Sequence, residues 1–388
     1  MSLSKSASQT RDQPSTPQKT LKRGWTTGAC ATAAAKAALI GWVSGRFPPY
    51  VEIFLPRRAK PVQFKVEDAF KGTDQHQNAF AQASIIKDAG DDPDITHGCH
   101  VCARLSPNKF KQGISFAAGE GVGIVTRKGL PLDVGEPAIN PAPRAMICDN
   151  LQKTADFLGI KPDFKVQISI PNGRELALKT RNAHLGIVGG LSILGTTGVV
   201  IPYSCASWVH SIYRAIDVAR ASNIDHLGAS TGKTSQYWLE QDLRFNAHHI
   251  LDVGDFVGAM AKYIKQHPIT YLSFAGGFAK ITKLALGAKN LHSDHGALDF
   301  DQIARWAQDS GLKNATVKAL KNSHTAYQLY QIAGPNFADH VCAKAHERLQ
   351  KMTSQKTKLN LFMISRDGRG FGRYQSFDPL NVCTYKAF

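Results

Sequence analysis

Between residues 223 and 286 the chain repeats one pattern three times: a short apolar run, a glycine-bearing turn, then a stretch of helical periodicity. The first unit reads as a strand over Asn223–Leu227, a loop over Gly228–Ser235 and a helix to Leu243. The second has a strand over His249–Val253, a turn at Gly254-Asp255 and a helix over Phe256–Lys265. The third has a strand over Ile269–Phe274, a turn at Gly276-Gly277 and a helix over Phe278–Leu286. Consecutive units of this kind close as a parallel sheet with helices on both faces, because each right-handed crossover returns the chain to the same sheet. Ligands of such sheets sit beyond the carboxyl ends of the strands, which puts Thr231-Gly232, Gly254-Asp255 and Gly276-Gly277 along one rim. The loop GASTGKTS has the look of a phosphate-binding P-loop, but only three residues separate Gly228 from Gly232. The P-loop spacing requires about four.

The preceding half lacks that repeat and is organised around Leu185–Val200, LGIVGGLSILGTTGVV. Ile187, Val188, Leu191, Ile193 and Leu194 suit a strand buried on both faces. Gly189, Gly190, Gly195 and Gly198 permit positive φ or close approach of another backbone. Gly195-Thr196-Thr197-Gly198 reads as a tight turn carrying two hydroxyls, and a helix follows from Ser204, a suitable N-cap, to Ala221. Such a turn either holds a small polar or anionic group or packs two parts of the chain tightly together.

Nearer the start, LKRGWTTGACATAAAKAALIGW places Thr26 or Thr27 as cap of an alanine-rich helix over Gly28–Trp42. So many small residues mean either close helix–sheet packing or a Thr-Thr-Gly terminus facing an anion. Strands are expected at Tyr50–Leu55, Gln63–Ala69 and Ala79–Lys87. Next comes KDAGDDPDITHG, in which Asp88, Asp91, Asp92, Asp94 and His97 crowd a loop broken by Gly90 and Pro93. These groups cannot enter a core unpaired. They make either a surface turn laced by Asx hydrogen bonds or a site loop holding a ribose, an ammonium group or a proton acceptor. Cys99 and Cys102 fall at a strand start, where residues three apart point to opposite faces, so we expect no metal there. Two short strands fill Gly113–Thr126, and a proline-rich segment then leads through Glu136 and Asn140 to Arg144 and a helix over Pro143–Gly159. An arginine fixed in this way either binds a carboxylate or helps a loop cover the sheet. A strand is expected at Phe164–Ile170. Beyond residue 286 a polar loop carries His292, Asp294 and His295, followed by helices at 299–310, 325–332 and 337–352 and a strand over Lys358–Ile364. The pattern does not fix the fold of the Arg-rich end.

The fold class expected is therefore two-domain α/β: a disordered tail at 1–20, a mixed α+β sheet domain over 21–221, and a Rossmann-like doubly wound α/β domain over 222–388. Seven scattered cysteines fit a reducing, cytoplasmic setting better than a disulfide framework. The 47 Lys plus Arg outweigh 30 Asp plus Glu by +17. The charge is dispersed and accompanies no nucleic-acid module, which points to a polyanionic small ligand.

Taken together, GWTTGACATAAAKAAL, KDAGDDPDITHG, GEGVGIVTRKGLPLDVGEPAINPAPRAMI, LGIVGGLSILGTTGVV, DVGDFVG, FAGGFAKITKLALG and HSDHG closely resemble the cobalt-precorrin-5B C1-methyltransferase family of anaerobic cobalamin biosynthesis. The resemblance runs from about Leu21 to Ile364 and departs at Cys99–Cys102 and at both ends. It implies transfer of a methyl group from S-adenosylmethionine to C1 of a cobalt-bound tetrapyrrole, cobalt-precorrin-5B, giving cobalt-precorrin-6A. On that basis Gly189, Gly190, Ser192, Gly195, Thr196 and Thr197 are expected to hold the donor, with Thr26, Thr27, Gly28, Asp88 and Asp92 lining the same cleft. Asp91, Asp94 and His97 are the candidates for a general base or for orienting the donor. Arg144, Lys280 and His292 are expected to meet carboxylates of the macrocycle. The expected partner is the cobalt-bound tetrapyrrole, with no metal site, no nucleic acid and no membrane, and a homo-oligomer is compatible. Two other classes remain open on the residues alone: a nucleotide-dependent enzyme using Gly228–Ser235, and a basic nucleic-acid-binding protein.

Overall fold

The computed structural model describes residues 21–108, 113–293 and 297–382. The expected disordered tail at 1–20, and Asp294 and His295 of the polar loop, lie outside the described residues. The protein is a mixed α/β structure with two five-stranded sheets, each under its own hydrophobic core.

The first half begins with β1 (Gly24–Trp25) and α1 (Thr27–Ser44), then a hairpin of β2 (Tyr50–Ile53) and β3 (Val62–Lys65). Next come β4 (Ala69–Thr73), β5 (Ala79–Ile86), β6 (His100–Pro107), β7 (Ser115–Ala118), β8 (Ile124–Val125), α2 (Pro141–Phe157), β9 (Phe164–Ser169) and α3 (Gly173–Ala177). Two short strands, β10 (Ile187–Val188) and β11 (Val199–Val200), close this half. The sheet order is β4-β5-β6-β9-β7, antiparallel except for β7 beside β9. Alternation along β6 turns Val101, Ala103 and Leu105 into the core and leaves Cys102 on the other face with His100.

Helix α1 packs against both β5 and β6 and against α2. Its seven alanines are all fully buried, which only a helix of small residues allows when another helix and a sheet both approach its backbone. Thr26 caps it, accepting from Ala29 N at 3.2 Å, and Gly45 ends it in the left-handed region at φ 74°.

The second half contains α4 (Cys205–Ala221), β12 (His226–Ser230), α5 (Lys233–Gln241), β13 (Ile250–Asp252), α6 (Val257–Gln266), β14 (Tyr271–Gly277) and α7 (Phe278–Ala285). Four helices follow: α8 (Phe300–Asp309), α9 (Asn314–Lys321), α10 (Ala326–Ala333) and α11 (Pro335–Met352). The chain then returns through β15 (Lys358–Ile364) and β16 (Gly370–Gln375) to α12 (Pro379–Val382). The sheet order is β13-β12-β14-β15-β16, with the first four strands parallel and β16 antiparallel at the edge. Strand order reverses direction at β12, so β12 and β14 diverge into crossovers on opposite sides and leave a crevice beyond their carboxyl ends. Ile212, Ile216 and Ala219 of α4 lie in the core under this sheet, although the sequence pattern groups that helix with the first half.

The largest departure from expectation is the central glycine stretch. It is not a continuous buried strand: Ile187–Val188 pairs with β8 and Val199–Val200 with β1, while Leu191 and Ile193 make single bridges to Val122 and Ile139. Ile187, Leu191 and Ile193 are buried, but Val188 is 56% exposed and Leu194 49% exposed. Gly186, Gly189, Gly195 and Gly198 all have positive φ, and each breaks the pleat a strand would need. The strand expected at Asn223–Leu227 starts later, at His226, and continues to Ser230 because Asn223, at φ 54°, is still turning out of α4. Helix α9 and strand β16 were not legible in the sequence.

Candidate functional site

The Gly/Thr turn, the start of α1 and the aspartate loop come together at one edge of the first half. Gly24 and Trp25 pair with Val200 and Val199, which carries the chain straight into α1 beside the turn. Thr26 N donates to Gly198 O at 3.0 Å and Gly28 N to Leu194 O at 3.0 Å. Thr27 Oγ1 accepts from Leu194 N at 3.0 Å and also lies 3.3 Å from Leu194 O. A Cβ on Gly195 would meet the Thr26 side chain at 2.4 Å. Thr26, Thr27 and Gly28, expected to touch the donor, are therefore buried and occupied with the turn itself. The N–H groups of Thr26, Gly28 and Ala29, which could otherwise attract an anion at this helix start, are taken by Gly198 O, Leu194 O and Thr26 Oγ1.

The aspartate loop docks on the same segment. Trp25 N donates to Asp88 O at 2.7 Å, Lys22 N to Asp91 Oδ2 at 2.6 Å, and Lys22 Nζ pairs with Asp88 Oδ2 at 2.6 Å. Tyr203 N donates to Asp92 Oδ1 at 2.8 Å, tying the loop to the segment after the turn. The hydrogen bond from Lys22 holds the Asp88 carboxyl below its ordinary range. Asp91 stays exposed, and among the described residues its second oxygen has no partner.

The other two general-base candidates are engaged. Asp94 Oδ2 receives the ammonium of Lys87 at 2.7 Å, while its Oδ1 accepts from Thr96 N and Oγ1 at 2.7 and 2.6 Å. Burial pushes the Asp94 carboxyl up, but these bonds more than offset it and hold it below the ordinary range. The Lys87 side chain is 1% exposed, so this pair is structural. His97 Nδ1 accepts from Ala89 N at 3.1 Å, which leaves the proton of the neutral ring on Nε2 and its basic lone pair already taken.

Gly189, Gly190 and Ser192 stand apart from the turn. Gly190 abuts the backbone of Gly121, where a Cβ would come within 2.4 Å, and its carbonyl accepts from Asn182 Nδ2 at 3.1 Å. Ser192 Oγ lies 3.5 Å from Asn182 Oδ1. Gly189 faces open space. Thr197 Oγ1 bonds its own neighbourhood at Val199, whereas Thr196 is exposed and its hydroxyl has no partner among the described residues. The face is open: Leu194 and Thr196 are exposed, and Tyr203 is 68% exposed.

The three expected carboxylate ligands do not converge. Arg144 clasps its own proline-rich loop, donating from Nε to Ile139 O at 2.7 Å and from Nη2 to Pro137 O at 3.2 Å, with Glu136 Oε2 at 2.7 Å. Lys280 sits in the other half on the strand-end rim, donating to Thr231 O at 2.6 Å and pairing with Asp255 at 3.1 Å. His292 is exposed, and its carbonyl accepts from the buried Lys283 at 2.8 Å.

Sequence reasoning placed the rim correctly but missed what closes it. A cavity of about 410 Å3 lies between the turn after β12 and the start of α7, walled by Ile364–Arg366 and by Tyr327 of α10. The glycine turns pointed to it; the walls come from elements far downstream and carry no local signal. The halves meet near this sheet through an ion pair between Arg181 and Asp252, and Trp208 Nε1 donates to Asp252 O at 2.9 Å.

A family model described as CbiD matches residues 14–202, and one described as CbiD, C-terminal domain, matches residues 290–375. A protein of Bradyrhizobium sp. (strain BTAi1) named cobalt-precorrin-5B C(1)-methyltransferase is 45% identical over 359 residues, 91% of this chain and 93% of that protein. Proteins of the same name from Paramagnetospirillum magneticum and Agrobacterium fabrum are 44% and 43% identical, over 92% and 93% of this chain and 98% and 95% of theirs. A crystal structure of a cobalamin biosynthesis protein (CbiD) from Archaeoglobus fulgidus aligns over 75% of this chain and 85% of that one, at 26% identity and a TM-score of 0.38.

Proposed function

The chain belongs to the CbiD family, and from that premise we propose how it carries out methyl transfer to C1 of cobalt-precorrin-5B in cobalamin biosynthesis. It is a C-methyltransferase. The donor in this reading is S-adenosylmethionine and the product cobalt-precorrin-6A. When bound, the donor supplies an electrophilic methyl group on a cationic sulfur.

The observation that carries the assignment of the donor site is the docking of Asp88, Asp91 and Asp92 beside the exposed Gly195–Thr197 turn. A cluster of carboxylates at an open edge fits a cationic group and offsets part of its charge. Thr196 offers a hydroxyl that the fold does not use. Thr26, Thr27 and Gly28 act behind it as supports that fix the turn. The chain's task in a single in-line displacement is alignment, which needs no covalent intermediate. Asp91, with one carboxylate oxygen unengaged, is the proton acceptor in this reading, in place of Asp94 and His97.

The macrocycle carries several carboxylates and meets a chain of net charge +17. We further infer two domains, with α4 belonging to the second, Rossmann-like one, because its apolar face completes that core. The setting is cytoplasmic in this reading: the six described cysteines are free thiols, and among the described residues no helix is long and apolar enough to cross a membrane.

The test is a calorimetric titration of the full chain with S-adenosylhomocysteine, with and without a cobalt-corrinoid precursor. Binding that weakens roughly tenfold in Asp91→Asn, with an unchanged fold, supports the assignment. Wild-type affinity and wild-type methyl transfer in that variant remove the aspartate edge from the site.

A further inference from the structure

We propose that the cavity at the reversal of the second sheet is an oxyanion site, and that it takes a carboxylate arm of the substrate rather than the methyl donor. The first part stands on the cavity alone; the second rests on the reading of the substrate given above.

Topology puts the cavity where a ligand belongs. β12 is flanked by β13 on one side and β14 on the other, so the strand order reverses there, and crevices at such reversals are where open α/β sheets bind ligands. Two helices start at its wall. α5 opens on Gly232 and α7 on Gly277, and neither N-cap residue has a side chain to accept from the first turn. Their leading N–H groups therefore point outward without an internal acceptor. Between them lies Thr231, 5% exposed, which lines the cavity. Its backbone N and O are both bonded, yet its hydroxyl makes no hydrogen bond among the described residues. The residue is otherwise enclosed, so this hydroxyl is left free to meet whatever occupies the cavity.

The charge is equally one-sided. Lys233 and Arg366 line the cavity without a carboxylate partner among the described residues. The Arg366 guanidinium lies 4.8 Å from the ring centre of Tyr327, which holds it over the opening. Lys280 is neutralised by Asp255, and Asp367, just outside, is held by Arg369 and Ser365. No Asp or Glu lines the cavity itself. A cationic sulfonium finds no counter-charge here, whereas a planar or tetrahedral oxyanion finds two cations, two helix starts and a hydroxyl. Phe278 and Ile364 supply an apolar wall for the body that bears the arm.

The experiment titrates the full chain calorimetrically with tricarballylate, inorganic phosphate, ATP and S-adenosylhomocysteine. Tricarballylate and phosphate are expected to bind, and Lys233→Ala and Arg366→Ala each to weaken both by roughly tenfold, since each removes a charge-assisted contact. Both residues are exposed, so the fold survives the change; Thr231→Val, nearly the same shape, is expected to weaken binding several-fold. Affinity for S-adenosylhomocysteine should not move in any of the three variants. No anion binding by the wild type, or equal binding in all three variants, overturns the oxyanion site. ATP binding about a hundredfold tighter than tricarballylate assigns the site to a nucleotide phosphate and overturns the carboxylate-arm assignment. Loss of methyl-donor binding at the aspartate edge strikes the earlier reading alone and leaves an observed oxyanion site standing.

Discussion

Thr27 Oγ1 and the backbone of Leu194 meet twice across 167 residues, the hydroxyl accepting from Leu194 N at 3.0 Å and lying 3.3 Å from Leu194 O. One hydroxyl thus fixes the entry of the Gly/Thr turn onto the start of α1. It separates two roles that the sequence pattern TTG and GTTG made look alike: Thr27 shapes the turn from behind, and Thr196 faces outward from it.

Thr27→Val keeps the shape but leaves Leu194 N without its acceptor in a part-buried place. The expected loss is about 1–2 kcal/mol of unfolding free energy in urea. Thr196→Val, at an exposed hydroxyl with no partner in the fold, should cost less than about 0.5 kcal/mol while weakening S-adenosylhomocysteine binding. Equal stability losses in the two variants would contradict this division of roles.

Gly189 and Gly190 are neighbours with opposite reasons for being glycine. Gly189 has φ 86° and open space around its missing side chain, so Gly189→Ala should cost about 1–2 kcal/mol from backbone strain. Gly190 has no such φ, but a Cβ there would sit 2.4 Å from the Gly121 backbone, which cannot swing away as a side chain can. Gly190→Ala should cost about 3 kcal/mol or more. Denaturant midpoints that rank the two in the other order would mean the Gly121 approach is not as close as described.

How far this was visible in advance depended on how local the cause was. The Ser204 cap and the Lys358–Ile364 strand were legible because a hydroxyl before a helix, and an unbroken apolar run in a parallel sheet, carry their own signal. The rim at Thr231-Gly232 and Gly276-Gly277 followed from topology. The central stretch was misjudged because its shape depends on Gly121 and Thr26, which lie far away in sequence. For the same reason Asp94 looked like a free base: its partner Lys87 is nearby in sequence, but only the fold shows that the lysine is buried against it. Tyr327 and Arg366, which complete the cavity, sit beyond α7 in segments with no functional pattern.

The Lys87–Asp94 pair should behave as a structural ion pair. Asp94→Ala strands a buried ammonium and is expected to cost about 3 kcal/mol, and adding Lys87→Met should recover part of it. The Asp94 carboxyl is held below its ordinary 3.8 in the folded chain, so the unfolded chain takes up the proton first on acidification. Its contribution is therefore complete above pH 3.8 and fades as the pH falls through the lower folded value. Asp94→Asn should flatten the acid limb of the stability curve there, and an unchanged acid limb would show that the pair does not contribute.

His226 gives a second pH dependence, of the same sign but in a different window. Its ring is buried in the second half, with Nε2 2.9 Å from Ser273 Oγ and the rings of Phe245 and Phe377 around it, and burial pushes its pKa down to about 4. The unfolded chain accepts a proton near the ordinary 6.5, while the folded chain resists until about 4. The unfolded state thus binds more protons across that interval, and stability must fall as pH falls through it, at up to about 1.4 kcal/mol per pH unit for one such group. His226→Gln preserves a polar partner for Ser273 and removes the titration. Urea midpoints measured from pH 7 to pH 4 should therefore decline more steeply for the wild type than for His226→Gln. Parallel slopes would show that the folded chain takes up this proton as readily as the unfolded one, and that burial between Phe245 and Phe377 does not hold the ring's pKa down.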